Sequence, residues 1–244
     1  MDNYLFKVVP LCDKQKRDIN ENHILNNGLY RKCDVYKGGG GYDKFPYICK
    51  KRLGHDINQT QFVVQLYGCP LRCPYCYVTP DGIFGDYKEV KSEDMIQAFI
   101  ESKLDIFHLM GGAPALYVEG WKTIIDRLED NKVFHSDLLL IEKKYSMDVL
   151  KEINQKNTLY AVSIKGIDKE FEEKTGIKFN GDLFWYNLNQ ILKSKLNFYF
   201  TFTGLSEKSI QKFKDECKNK LEEYDETIFD DSFSIPIIEY EALK

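Results

Sequence analysis

Several things are scarce in this chain of 244 residues. It has four histidines, two tryptophans and a net charge of only −4. So small an imbalance argues neither for nor against a nucleic-acid partner, because local patches matter more than totals. No long apolar run occurs: the longest aliphatic stretch is Leu138 to Ile141, far too short to span a bilayer. The first residues, MDNYLFKVVPLCDKQKR, lack the apolar segment of a signal peptide, so a cytoplasmic, non-membrane protein is expected. The cysteines number seven, an odd count that disulfides cannot use up, and three of them crowd into eight residues. No second Cys-x-x-Cys pair follows to complete a structural zinc site. Gly38–Gly41 is not followed by the Gly-Lys-Ser/Thr of a phosphate-binding loop.

What is present is the stretch Gly68-Cys69-Pro70-Leu71-Arg72-Cys73-Pro74-Tyr75-Cys76. Its cysteines are spaced C-x3-C-x2-C, directly after an apolar segment, Phe62 to Tyr67. Three thiolates on one tight loop suit a [4Fe–4S] cluster with three irons tied to protein and the fourth open. A zinc or iron–sulfur protein without catalytic activity is the other reading of such a loop.

From residue 61 short apolar strands alternate with amphipathic helices. The pattern predicts strands over 62–67, 106–110, 137–141, 159–164, 197–203 and 233–240. It predicts helices over 93–104, with Ser92 as N-cap, and over 119–130, 148–156, 181–194 and 206–226. Six such units predict an α/β fold with a parallel sheet over 61–244. Chemistry then belongs at the carboxyl ends of the strands. The cysteine loop, Gly111-Gly112, Glu142, Lys165 and Gly204 all fall there.

Residues 1–60 read as an irregular N-terminal extension without helical periodicity. Between Tyr30 and Arg52 seven Lys or Arg face two Asp, interleaved with aromatics. This is expected to form a mobile flap over the barrel mouth, tipped by Gly38–Gly41. An anionic or nucleic-acid substrate is compatible with it but not favoured. Cys12, Cys33, Cys49 and Cys217 read as buried free thiols.

The cysteine spacing, with the aromatic Tyr75 before the last cysteine, resembles the signature of the radical S-adenosylmethionine superfamily. The resemblance covers residues 61–240 and implies a partial (βα)6 TIM-like barrel for the domain over 61–244. It implies that Cys69, Cys73 and Cys76 ligate the cluster, whose free iron chelates S-adenosylmethionine. One electron, from a reductant such as flavodoxin or ferredoxin, then releases a 5′-deoxyadenosyl radical that takes a hydrogen atom from the substrate. Gly111, Gly112 and Ala113, before Pro114, stand where the family usually has Gly-Gly-Glu-Pro, so Ala113 removes a carboxylate. Ser163-Ile164-Lys165, with Thr175-Gly176 downstream, is similar to the Asp-Leu-Lys and Thr-Gly of short glycyl-radical-enzyme activases, with Ser163 replacing the aspartate. The implied cofactor-side residues are Tyr75, Gly111, Gly112, Ala113, Glu142, Ser163 and Lys165. The likeness to short activases implies a protein or peptide substrate. A small molecule, nucleoside or RNA substrate is the competing expectation, and no catalytic residue is singled out.

Overall fold

The structure, a computed structural model, describes residues 3–11, 21–34, 44–58, 60–76 and 84–237. In chain order these form β1 (Leu5–Val8), β2 (Ile24–Leu25), β3 (Tyr30–Asp34), α1 (Lys44–Leu53), β4 (Thr60–Gln65) and β5 (Lys88–Lys91). There follow α2 (Ser92–Ser102), β6 (Ile106–Met110), α3 (Val118–Ile125), β7 (Val133–Leu138), α4 (Met147–Ile153) and β8 (Thr158–Ile164). The chain continues through α5 (Asp168–Thr175), α6 (Gly181–Lys193), β9 (Phe198–Thr203), α7 (Glu207–Lys220) and β10 (Phe233–Ile235). Among the described residues no helix is long and apolar enough to cross a membrane.

One eight-stranded sheet runs β10-β9-β8-β7-β6-β4-β3-β2. The six expected strands, β4, β6, β7, β8, β9 and β10, are parallel to one another. Among the described residues the two ends of the sheet do not pair, so the barrel is partial. Strand periodicity separates two cores. Phe62, Phe107, Phe134, Tyr160 and Phe200 point outward under the covering helices. Ile106, Val133, Leu159, Ala161, Tyr199 and Phe233 point inward. Both faces being covered is what makes parallel strands read as nearly continuous apolar runs.

The largest departure from expectation is in residues 1–60. This stretch is not irregular throughout. β3 pairs antiparallel with β4 and extends the sheet, and β1 pairs with β5. Helix α1 lies inside the barrel, with Phe45, Ile48 and Cys49 packed on the inward residues of β6 to β10. Its apolar positions are few and its flanks basic, which hid its period. Gly38–Gly41 and Cys12 lie outside the described residues. Cys49 and Cys217 are buried free thiols, as expected.

Two smaller corrections concern strand and helix ends. The third barrel strand was expected over 137–141 but runs Val133–Leu138. The aliphatic run that follows is a buried loop whose carbonyls are taken up by side chains: Tyr145 Oη donates to Leu139 O at 2.9 Å and Asn187 Nδ2 to Leu140 O at 2.8 Å. Ser92 is not the N-cap of α2; Lys91 is, and Ser92 is the first helical residue. Strand β5 runs straight into the helix, and Ser92 N donates to Tyr4 O at 3.0 Å. The caps of α4, α6 and α7 are made by Ser146, Asn180 and Ser206.

Helix α1 is tied to the far end of the chain by charge. Asp231 accepts from Lys51 Nζ at 2.9 Å and Arg52 Nε at 2.6 Å, and Arg52 also donates to Phe198 O. Burial alone would push the Asp231 carboxyl up, but Lys51 and Arg52 together hold it below the usual carboxylate range. A depressed folded pKa gives stability that is present above the unfolded value and lost as pH falls through the folded one. Asp231→Asn should therefore lower stability at neutral pH by about 2–3 kcal/mol, between an exposed and a fully buried pair. Urea melts should show the gap to wild type closing below about pH 4; a gap that persists there would contradict the assignment.

Candidate active site

The cysteine loop leaves β4 at the carboxyl edge of the sheet and is held from three sides. Ala113 N donates to Gly68 O at 2.7 Å, Arg72 N to Thr175 O at 2.7 Å, and Tyr117 Oη to Tyr67 O at 2.8 Å. Within the loop Arg72 Nη1 donates to Cys69 O and Leu71 O, at 2.9 and 2.8 Å, and Cys76 N to Cys73 O at 3.1 Å. Leu71 anchors the loop in the outer core. Its thiols are half-buried.

The glycines after β6 are required by this packing. Gly111 and Gly112 have φ of 73° and 59°, the left-handed region. A Cβ on Gly112 would sit 2.4 Å from Leu66 O and 2.5 Å from Gly68 O. Close approach of one backbone to another, at the root of the cysteine loop, thus accounts for Gly112 before any ligand is considered. The Thr175-Gly176 pair has a similar place. Gly176, at φ 69°, ends α5 against Arg72, whose carbonyl oxygen is 3.0 Å from where a Cβ would be.

Of the sequence-predicted site residues, Lys165 and Tyr75 come together: Lys165 Nζ is 5.9 Å from the centre of the Tyr75 ring. Ser163 lies two residues before Lys165, half-buried on the inward face of β8. Ala113 is buried beside Gly112. Glu142 does not close a strand, since β7 ends at Leu138. It sits in the turn beyond, where its Oε1 accepts from Leu139 N at 3.0 Å. Burial drives its carboxyl well above the usual range, opposed by the Leu139 and Ala115 N–H groups. Glu142 still reaches the cysteine loop electrostatically. The Cys69 thiol is pushed up to about 12, by burial first and by Glu142, Cys76 and Cys73 in addition.

Three soft thiols on one loop are the donor set of an iron–sulfur cluster. Around a single zinc they would converge to one-ion spacing. The set of His, Cys, Asp or Glu ligand atoms that reaches such spacing among the described residues is a different one: His108, His135 and Asp137. The cysteine loop therefore fits a cluster better than a lone ion.

Sequence pattern alone assigns this second set no role, and a third strand starting at 137 leaves His135 outside the barrel. The signal was period two: His108, His135 and Asp137 all alternate with the outward Phe107, Leu109, Phe134 and Leu138. Burial pushes the His135 imidazole down to about 3 and His108 well below its ordinary value, with His135 and Arg31 adding to the effect on His108. Asp137 is pushed up to about 6 by burial, with Lys165 pulling the other way. Thr201 and Thr203 are buried on the inward face of β9.

The chain was compared with known proteins. The model of the Radical SAM superfamily matches residues 63–217, more than half of the chain. No curated protein matches. Among solved structures, SuiB of Streptococcus suis is 16% identical, with 75% of this chain and 40% of SuiB covered and a TM-score of 0.54. SuiB bound to its precursor peptide SuiA gives 17%, 72%, 39% and 0.52 in the same order. The enzyme anSMEcpe, with AdoMet and the Cp18Cys peptide bound, gives 15%, 70%, 48% and 0.49. The chain spans less than half the length of each of these proteins.

Gly112→Ala combines a left-handed φ with two carbonyl contacts and should cost about 2–4 kcal/mol. Gly68→Ala, whose Cβ would meet only Leu116 Cδ1 at 3.5 Å, should cost about 1 kcal/mol, the conformational term alone. Chemical denaturation of the two variants checks the ranking, and equal costs would contradict it.

Proposed function

Because the chain belongs to the radical SAM superfamily, whose enzymes work with a [4Fe–4S] cluster and S-adenosylmethionine, we propose that Cys69, Cys73 and Cys76 are the cluster ligands and that the substrate is a protein or peptide. The observation that carries the ligand assignment is the three-thiol loop at the carboxyl edge of the parallel strands, pinned by Ala113 N and Thr175 O. When bound there, cluster and S-adenosylmethionine supply the 5′-deoxyadenosyl radical, the hydrogen-abstracting species.

The chain's own residues prepare that position. Lys165 lies beside Tyr75 of the loop, and its ammonium would pair with the carboxylate of S-adenosylmethionine. The backbone of Gly111, Gly112 and Ala113 lines the adjacent strand end, while half-buried Glu142 and Ser163 provide hydrogen-bonding oxygens. The electron comes from a reductant of the flavodoxin or ferredoxin kind. A peptide substrate is supported by the open sheet, whose outer strands β10 and β2 are unjoined, and by the peptide in the SuiB structure of the same fold. A small-molecule substrate is the second reading. It is favoured by α1, which fills the amino end of the barrel and leaves an enclosed polar layer above it.

Anaerobic reconstitution should give about four irons per chain and release 5′-deoxyadenosine under a strong reductant, and Cys73→Ala should abolish both. Lys165→Ala should weaken S-adenosylmethionine binding about tenfold, the worth of one charge-assisted hydrogen bond. A colourless protein that takes up no iron and holds zinc that is lost in Cys73→Ala would overturn the cluster assignment. Deuterium passing into 5′-deoxyadenosine from a labelled peptide supports the peptide reading, and transfer only from a small metabolite overturns it.

A further inference from the structure

Beneath the cysteine loop the inward faces of β6 and β7 carry a polar layer that cluster binding does not use. His108 and His135 are direct register partners, and their rings lie 4.2 Å apart, centroid to centroid. Asp137 follows on the same face. One ligand atom from each of the three residues falls within 4.8 Å of the other two. Around them the layer is nearly dry: His108 is 1% exposed and His135 fully buried.

The environment of His108 is the second observation. Neither of its ring nitrogens has a hydrogen-bond partner. A buried imidazole pays for desolvation at both nitrogens and here recovers nothing from the protein. His135, by contrast, is oriented from both sides. Its Nδ1 lies 3.3 Å from Gln61 Oε1 and its Nε2 3.0 Å from the Tyr199 hydroxyl. That is the arrangement in which one ring nitrogen is fixed by an amide oxygen while the other can be given to a metal, the hydroxyl being the weaker tie to displace.

We propose that His108, His135 and Asp137 form a binding site for a single first-row divalent transition metal, separate from the cluster. Two imidazoles and one carboxylate are the facial donor set that zinc and ferrous iron accept. Magnesium and calcium, which take all-oxygen shells, are disfavoured. With metal–ligand bonds of about 2.0–2.2 Å, the ligand atoms of a facial or tetrahedral set lie about 3.0–3.5 Å apart. A pair at the full 4.8 Å would have to close by about 1.3–1.8 Å, through side-chain rotation as the ion binds. Three protein ligands leave coordination positions open. Arg31 acts on His108 from β3, and Lys165 on Asp137 from the mouth. Both cations oppose the ion, so an anionic oxygen from the substrate is the group that suits the open positions. The site thereby gives the substrate, peptide or small molecule, a second point of attachment below the radical source.

The test separates this site from the cysteines. A full-length variant with Cys69, Cys73 and Cys76 changed to Ala is dialysed against zinc and its metal content measured. About one zinc per chain is expected, with a rise in melting temperature. Adding His108→Ala or Asp137→Ala should weaken zinc binding at least tenfold. His108→Phe replaces the imidazole with an apolar ring of similar shape and should fold while losing the zinc, which covers the case in which the alanine variant is unstable. In the reconstituted wild-type holoprotein, one zinc should bind in addition to the cluster irons. No zinc beyond background in both preparations overturns the proposal, and so does zinc that survives His108→Phe and Asp137→Ala. Neither result depends on cluster assembly or on turnover.

Discussion

Two carbonyl oxygens, those of Leu66 and Gly68, stand within about 2.5 Å of where any side chain on Gly112 would begin. The loop that leaves β4 and the loop that leaves β6 are thereby pressed backbone to backbone, and the Ala113 N–H closes the contact on Gly68 O. Much of the mouth depends on that approach. It fixes where the first cysteine emerges from the sheet, and Arg72, three residues on, then meets the end of α5 through Thr175 and Gly176. The cysteine loop is thus clamped by elements that arise from β6 and β8, far apart in the chain. Such clamping from packed backbone is how a short loop can present three thiols in a reproducible arrangement.

Below the mouth the inward face changes character twice. At the amino end it is apolar, closed by Phe45, Ile48 and Cys49 of α1 against Tyr199 and Phe233. At mid-height it turns polar, with His108, His135, Gln61 and Asp137 on neighbouring strands. At the carboxyl end it meets Lys165, Tyr75 and the cysteines. Burial disfavours the charged forms of the imidazoles in the middle and raises the Asp137 carboxyl to about 6, as is common where a polar ligand is to replace water.

Much of this was legible in the sequence because two periods are unambiguous. Strand β6 falls on its expected residues, and β4, β8 and β9 within a residue or two of theirs. The cysteine spacing, the glycine pair and Lys165 all fell at strand ends and meet there. What failed did so for identifiable reasons. Leu139–Ile141 is aliphatic enough to look like a strand but is buried as a loop, because Asn187 and Tyr145 take up its carbonyls. Helix α1 is lysine-rich and short, so only three of its residues are buried, too few for a period to show. His135 was lost with the strand boundary. Its partnership with His108 is a matter of register between strands some 25 residues apart, which local pattern does not record.

The position of α1 bears on how the chain acquires its structure. This helix precedes every parallel strand in the chain, yet the surface it covers is contributed by β6 through β10. Its ion pair with Asp231 joins residues 179 and 180 positions apart. A short, basic helix of this kind has little stability alone. It therefore gains its hydrophobic partner and its counter-charge only when the last strand arrives. Closure of the barrel floor is a late, long-range event, and contacts of such high sequence separation slow folding. Until then the inward faces of the strands remain open to solvent, and the partly folded chain is most exposed to association with others of its kind.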